Sequence, residues 1–441
     1  MFKQFDNLMR WVVGGPGFVK AYHRVLQNKG SSGVDGVKTE DLPRYLMYHW
    51  ERIKVEVETG SYQPQLVRGV KIPKPNGGIR QLGIPTVMDR IIQQSIHQVL
   101  SPLWEKSFSD YSYGFRPKRD AHQALSKANA YINEGRHYII DLDLKAFFDR
   151  VQHDYLMSLL RQKVKDKTLL QLIGKFLRSG ILEDGLVKAR AEGTPQGGPL
   201  SPLLSNILLH ELDAELEKRG HKFVRYADDC SIFLKSKMAA KRVLASITRF
   251  IEKKLHLEVN QEKTSICRPT QFVLLGHSFV SIYKKGAKGK YRLCIAKKSW
   301  QRLKEKIKVI TKKTSPIPFV ERIQRLNALM RGWINYFQHA TGYQKFKELD
   351  AWIRSRLRYC IWKAWKRPKR RLRAFLQLGV KPSWAKRYAY SRKGGWRLAN
   401  SQVMKMTVTE ERLRQKGYLP FLEHYLKVKH RKSSKKTTKR K

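Results

Sequence analysis

Tyr226-Ala-Asp-Asp229 separates two short runs of strand character, Lys222-Phe-Val-Arg-Tyr226 and Cys230-Ser-Ile-Phe-Leu234. Two β-prone segments this close in sequence have to fold back on one another, so the pattern predicts an antiparallel hairpin with adjacent carboxylates at its turn. A second acidic strand end lies upstream, where His137-Tyr-Ile-Ile-Asp-Leu runs on through Asp143 to Asp149. On a strand Asp141 and Asp143 share one face, and Asp143, nearest the end, is the better placed to reach a ligand. Asp149 reads as a helix cap or structural acid.

The charge of the chain gives these acids a context. Ninety Lys and Arg against 36 Asp and Glu leave a formal +54. A field of that size opposes compaction unless a polyanion neutralises it, so the partner implied is nucleic acid, bound with strong salt dependence. From residue 351 to 441, 29 Lys and Arg face 3 Glu and no Asp, which puts +26 in the last fifth. The closing low-complexity stretch over 431–441 predicts a disordered basic tail. Cys230, Cys267, Cys294 and Cys360 stand far apart, which argues against a zinc site or a disulfide framework and fits a reducing compartment. No apolar run approaches the ~18 residues of a membrane span, and the N-terminal stretch lacks a signal-peptide core. A cytoplasmic protein away from membranes is expected.

The first 60 residues read as helices broken by the Gly-rich loop 28–36. A strand–turn–strand follows over 62–80, with its turn at Pro75-Asn-Gly-Gly78. Helical patterning covers 87–104, 121–134, 153–179, 201–219 and 238–255. Beyond about 295 the character changes to basic amphipathic helices carrying Trp300, Trp333, Trp352, Trp362 and Trp365. In Trp352-Ile-Arg-Ser-Arg-Leu-Arg-Tyr-Cys-Ile-Trp-Lys-Ala-Trp-Lys366, Trp352, Leu357, Tyr359 and Trp362 are expected to pack inward. The Arg series is expected to face phosphates.

Carboxylates at the ends of neighbouring strands supply hard oxygen ligands of the kind Mg²⁺ takes, leaving its other positions for water and phosphate. Between the two acidic strand ends lies Gly193-Thr-Pro-Gln-Gly-Gly-Pro-Leu-Ser-Pro202. Three Gly and three Pro make a rigid turn where backbone can approach a base pair closely, with Gln196 able to touch the nascent pair or the template.

These segments together resemble one family. Phe-Phe-Asp149, Thr194-Pro-Gln-Gly, Tyr226-Ala-Asp-Asp, Leu257-Glu-Val-Asn-Gln-Glu-Lys263 and Leu274-Leu-Gly-His277 occur in the order of the reverse transcriptase motifs of group II intron-encoded proteins. Asp35-Gly36, Ile72-Pro-Lys-Pro75, Arg80-Gln-Leu-Gly-Ile-Pro85 and Ser112-Tyr-Gly-Phe-Arg-Pro117 extend the match, and Arg331-Gly-Trp-Ile-Asn-Tyr-Phe337 looks like the maturase motif. Length and the lack of an endonuclease module are most similar to the group IIC subclass. His277, where the family often has an aromatic, is given no chemistry.

The resemblance implies an α+β right-hand polymerase with fingers, a palm built on an antiparallel sheet, a helical thumb and a basic C-terminal DNA- and RNA-binding region. The implied boundaries are an N-terminal extension over 1–60, fingers and palm over 61–290, thumb over 291–366 and a DNA-binding domain over 367–430. It implies two Mg²⁺ ions, with Mn²⁺ a possible substitute, held by Asp143, Asp228, Asp229 and the Leu144 carbonyl. Arg68, Lys74 and Arg80 are expected at the incoming triphosphate, Phe148 as the gate against a ribose 2′-hydroxyl, Gln196 at the nascent pair and Lys263 near the departing pyrophosphate. Arg331, Arg354, Arg358, Lys363, Lys366 and Arg367 are expected on nucleic acid. The partners implied are intron RNA, an RNA template with a DNA primer, a DNA target and dNTPs, in a bacterial nucleoid-associated ribonucleoprotein that splices and retrohomes. The alternative is a free-standing reverse transcriptase with no splicing role.

Overall fold

The computed structural model describes residues 7–73, 77–183, 185–283 and 289–437, with side chains described as far as 430. The chain divides into two compact units, Met1–Pro269 and Thr270–Lys441.

In the first unit, β1 (Val67–Pro73) and β2 (Ile79–Ile84) pair antiparallel, with Arg68 opposite Ile84 and Ile72 opposite Arg80. Strand β3 (Tyr138–Leu142) follows the helices Val87–Glu105 and Ala121–Asn133. A hairpin absent from the sequence expectations, β4 (Ile181–Glu183) and β5 (Leu186–Lys188), joins the parallel side of β1 through Val67 and Arg68. The third hairpin is the predicted acidic one, β6 (Lys222–Tyr226) and β7 (Asp229–Leu234), and β8 (Ser265–Cys267) completes a four-stranded antiparallel sheet in the order β6-β7-β3-β8.

Local chemistry explains where these elements begin. Helix Val87–Glu105 starts at Thr86, whose hydroxyl accepts from the Asp89 amide at 3.1 Å and donates to the Asp89 carboxylate at 2.8 Å. Apolar residues surround this helix (Val87, Met88, Ile91, Ile92, Ile96, Val99 and Leu100 are all buried), so it forms the unit's central element. In β3, Ile139, Ile140 and Leu142 are buried while Asp141 is only partly covered.

The second unit opens with a small antiparallel sheet, β9 (Val273–Leu274), β10 (His277–Ser281) and β11 (Tyr291–Ile295). Long helices follow at Lys297–Ile310, Phe319–Phe337 and Tyr343–Ala364, then shorter ones to Phe421–Thr437. The last helix runs through 431–437, where a disordered tail was expected; 438–441 lie outside the described residues. Trp300, Leu326, Ile353 and Trp362 share one core with Phe375, Phe421 and Tyr425, so residues on both sides of 366 pack together. Trp333, Trp352 and Trp365 are partly buried against that core, as is Tyr359.

A buried carboxylate starts the last helix. Asp350 is 4% exposed and accepts from Tyr418 Oη at 2.9 Å, Phe421 N at 2.8 Å and Leu422 N at 2.9 Å. Asp350→Ala strands these three donors, so it is expected to cost about 2–4 kcal/mol in urea unfolding. Hydrogen exchange should quicken first over Phe421–Thr437.

Candidate active site

The turn between β6 and β7 pairs Tyr226 with Asp229, leaving Ala227 and Asp228 as a two-residue loop. Ala227 adopts φ +58°, a left-handed conformation that costs an alanine about 1 kcal/mol and persists only where neighbours enforce it. Gly114 is one such neighbour: a Cβ there would fall 2.2 Å from the Ala227 amide. Loop and strand are laced together as Tyr113 N donates to Arg225 O and Arg225 N to Tyr111 O, both at 2.9 Å.

Asp143 lies just past the end of β3, pinned by the segment after Val259. Its carbonyl accepts from Asn260 N at 2.9 Å, and its amide donates to Thr264 Oγ1 at 3.1 Å. Leu144 bridges Val259, and Lys145 N donates to Glu258 O, which holds the main chain on either side of the Leu144 carbonyl. The segment 258–264 thus fixes the strand end that carries Asp143.

The carboxylates feel one another. Burial raises the Asp229 carboxyl to about 6, and Asp228, Asp141 and Asp143 add repulsion. Burial lifts Asp228 above its usual range; Asp143 adds to this, while its own amide, Arg80 and Arg225 pull it back. Asp141 rises to about 6 through burial and then the charge of Asp143. Four carboxylates therefore share this end of the sheet, and Asp141 joins them more closely than its position inside the strand indicated. Its place two residues before Asp143 was the available signal.

Among the described residues, no three carboxylate, imidazole or thiol side chains lie close enough to hold an ion by themselves. The donor chemistry of Asp143, Asp228 and Asp229 suits a divalent cation. They are hard oxygen donors under mutual repulsion, and Mg²⁺ completes its shell with water and phosphate oxygens.

Arg80 is exposed on β2 and close enough to Asp228 to influence it. Arg68 is half-buried, with its Nε enclosed and without a hydrogen-bond partner. Lys74 lies outside the described residues. Gln196 is half-buried, and its carbonyl accepts from Gly83 N at 2.8 Å, tying the Gly/Pro loop to β2. Only glycine fits next to it, since a Cβ on Gly197 would stand 2.3 Å from Gly83 O. Phe148 packs half-buried against the core while its carbonyl accepts from Thr194 N at 2.6 Å, so the same loop holds Phe148 in place. Lys263 Nζ stands 3.5 Å from Asp143 Oδ2.

Two of the basic residues expected on nucleic acid face inward instead. Arg354 pairs with Glu410 at 2.8 Å, and Arg358, 8% exposed, donates from Nε to Val408 O at 3.0 Å. Helix Tyr343–Ala364 is covered on that flank by residues 408–410, and a guanidinium there does better bonding carbonyl and carboxylate than reaching solvent. Arg331, Lys363, Lys366 and Arg367 are exposed.

Residues 72–279 match the family described as "Reverse transcriptase (RNA-dependent DNA polymerase)", and residues 300–377 match "Group II intron, maturase-specific domain". Protein YkfC of Escherichia coli is 32% identical over 319 residues, 63% of this chain and 84% of that protein. The group II intron-encoded protein LtrA of Lactococcus lactis is 31% identical over 332 residues, 60% of this chain. The chain belongs to the group II intron-encoded reverse transcriptase and maturase family. It spans 55% of LtrA. A solved Cas6-RT-Cas1–Cas2 complex covers 56% of the chain at a TM-score of 0.37 and 23% identity, too slight a likeness to build on. Membership makes the fold a right-hand polymerase, the activity RNA-directed DNA synthesis with divalent metal ions, and the partners nucleic acids. Among the described residues no helix is long and apolar enough to cross a membrane.

The raised carboxyl of Asp141 makes stability depend on pH. Unfolded, it ionises near 3.8; folded, near 6. Stability is therefore lost as pH rises through that window and stays lower above it. Without divalent cations, Asp141→Asn is expected to melt higher than the parent at pH 8. The two melting temperatures should converge below about pH 4.

Proposed function

We propose that this protein is a Mg²⁺-dependent reverse transcriptase that also binds its intron RNA as a maturase, and that it copies the intron into DNA during retrohoming. The observation that carries the catalytic part is the crowding of Asp143, Asp228 and Asp229 at one end of the antiparallel sheet, within electrostatic reach of Arg80. When bound, two Mg²⁺ ions would supply Lewis acidity at the primer 3′-hydroxyl and at the leaving pyrophosphate, and Mn²⁺ could replace them.

The protein's own groups do the rest. Asp143, Asp228 and Asp229 hold the cations, with the Leu144 carbonyl as a further ligand. Arg80, Arg68 and Lys74 neutralise the triphosphate, and Lys263 meets the departing pyrophosphate. As the primer oxygen bonds to the α-phosphorus, the bond to the β,γ-diphosphate breaks and the hydroxyl proton passes to solvent. Gln196 and Phe148, both fixed through the 193–198 loop, line the nascent pair, where Phe148 would exclude a 2′-hydroxyl.

Splicing would be catalysed by the RNA, with the protein stabilising its folded form. The maturase-specific match over 300–377 and the +26 carried by residues 351–441 support this role. A cytoplasmic, nucleoid-associated ribonucleoprotein follows from these partners.

Asp228→Ala and Asp229→Ala are each expected to abolish primer extension on an RNA template while leaving intron RNA affinity within a few-fold. Undiminished synthesis by either would remove the metal assignment. Lys363, Lys366 and Arg367 replaced together by Ala should weaken RNA binding and lower the salt slope by about 2. Arg358→Ala should instead lower the unfolding midpoint and leave that slope alone. Splicing of the flanking intron at near-physiological Mg²⁺ separates the maturase reading from a free-standing reverse transcriptase: protein-independent splicing, or no intron at all, favours the latter.

A further inference from the structure

We propose that Arg225, Asp213 and Asn206 form a buried clamp whose task is to position the Ala227–Asp228 turn, and that this clamp sets the placement of the metal-binding carboxylates. The inference rests on the assignment of Asp228 and Asp229 made above and identifies residues that act on them without touching substrate.

Arg225 and Asp213 both have fully buried side chains, at 0% exposure. The guanidinium forks onto the carboxylate, Nε to Oδ1 at 2.7 Å and Nη2 to Oδ2 at 2.6 Å. Its third nitrogen has two more acceptors. Nη1 donates to the Ala227 carbonyl at 2.8 Å and to Asn206 Oδ1 at 2.9 Å. Asn206, 1% exposed, passes the connection on, since its Nδ2 donates to the Gly114 carbonyl at 2.9 Å.

Asn206 and Asp213 lie seven residues apart on helix Ser201–Lys218, which puts them on one face two turns apart. The helix therefore presents two polar groups to the sheet at a fixed spacing. One guanidinium joins them to the turn, and the amide joins them to the loop pressed on that turn. Through Arg225 and Asn206 together, the helix, the turn and the Gly114 loop are joined by one chain of side-chain hydrogen bonds.

Adhesion alone does not call for this arrangement. Taking an ion pair fully out of water is costly, and apolar residues of similar volume commonly hold a helix to a sheet as well or better. Apolar side chains, however, cannot bond a carbonyl. Nor can a lysine reproduce the fork, because its ammonium is a point charge without the planar set of donors. The acceptor at the end of the chain of bonds is the carbonyl of Ala227, the residue held left-handed at φ +58° immediately before Asp228. The clamp bonds the one peptide whose orientation decides where Asp228 and Asp229 point.

The test uses the full chain on an RNA template with a DNA primer, varying dNTP and Mg²⁺ independently. The variants are Asn206→Ala, which keeps the ion pair, and Arg225→Met with Asp213→Leu, which replaces it by apolar volume. Thermal unfolding and primer–template affinity verify that each variant is folded. In the double variant kcat is expected to fall about 10²-fold, the loss that an ångström of misplacement produces. The half-saturating Mg²⁺ concentration should rise several-fold, while dNTP KM and primer–template affinity stay within about twofold. Asn206→Ala should move the same two quantities less, and it decides the matter if the double variant does not fold. A folded variant with unchanged kcat and Mg²⁺ requirement overturns the clamp while an inactive Asp228→Ala leaves the metal assignment standing. An active Asp228→Ala overturns both.

Discussion

Like charges repel, and the end of this sheet gathers Asp141, Asp143, Asp228 and Asp229 where none of them can neutralise another. The holding force has to come from elsewhere in the fold. It comes from main-chain bonds donated by distant segments: Asn260 to the Asp143 carbonyl, Thr194 to Phe148, and the 111–113 segment to Arg225. Asp143 and the turn carrying Asp228 and Asp229 are each backed by a segment that contributes no carboxylate of its own to the cluster. The glycines belong to the same requirement, since Gly114 and Gly197 stand where any side chain would push the backing segment away.

Charge is used in two opposite ways along the chain. Some arginines are spent inside the protein as planar hydrogen-bond donors. Arg116 bonds Glu105 and the carbonyl of Ser112, Arg225 bonds Asp213 and Ala227, and Arg322 bonds the carbonyls of Lys312 and Ser315. Arg354 and Arg358 behave likewise. Arginines paired with carboxylates already cancel within the formal +54, so that excess is carried by the remaining basic residues, among them the exposed Arg331, Lys363, Lys366 and Arg367.

That distinction marks where sequence reading succeeds and where it stops. The acidic hairpin was legible because two β-prone runs flank a two-residue turn, although burial along both strands is continuous rather than alternating; a turn of that length sets Tyr226 opposite Asp229. The Gly/Pro loop was legible because close backbone approach demands those residues. By contrast β4 and β5, three residues each, are too short to show a period, and they exist because β1 offers them an edge. Whether Arg358 faces out or in depends on residues 408–410, fifty positions away, so no helical spacing around it could tell. Asp141 is a similar case: its neighbours Ser231 and Ser265 are small cross-strand partners, and only the assembled sheet brings Asp229 within its reach.

Polymerisation and RNA holding ask different things of a structure. Bond formation at phosphorus tolerates little displacement of the groups around it, and the catalytic end is held accordingly by main-chain bonds from its backing segments and by the buried Arg225–Asp213 pair. Holding a folded RNA through its phosphates is a long-range, salt-screened interaction that many arrangements of cations satisfy. The second unit reflects this. Its interior is ordered by Trp300, Phe346 and Tyr425, packed edge-on and tilted within one core, while the cations at 363, 366 and 367 extend from its surface on flexible stems. Substitution among those surface cations can be gradual in effect. Around Ala227, where φ, carbonyl and neighbouring glycine are all specified at once, it cannot.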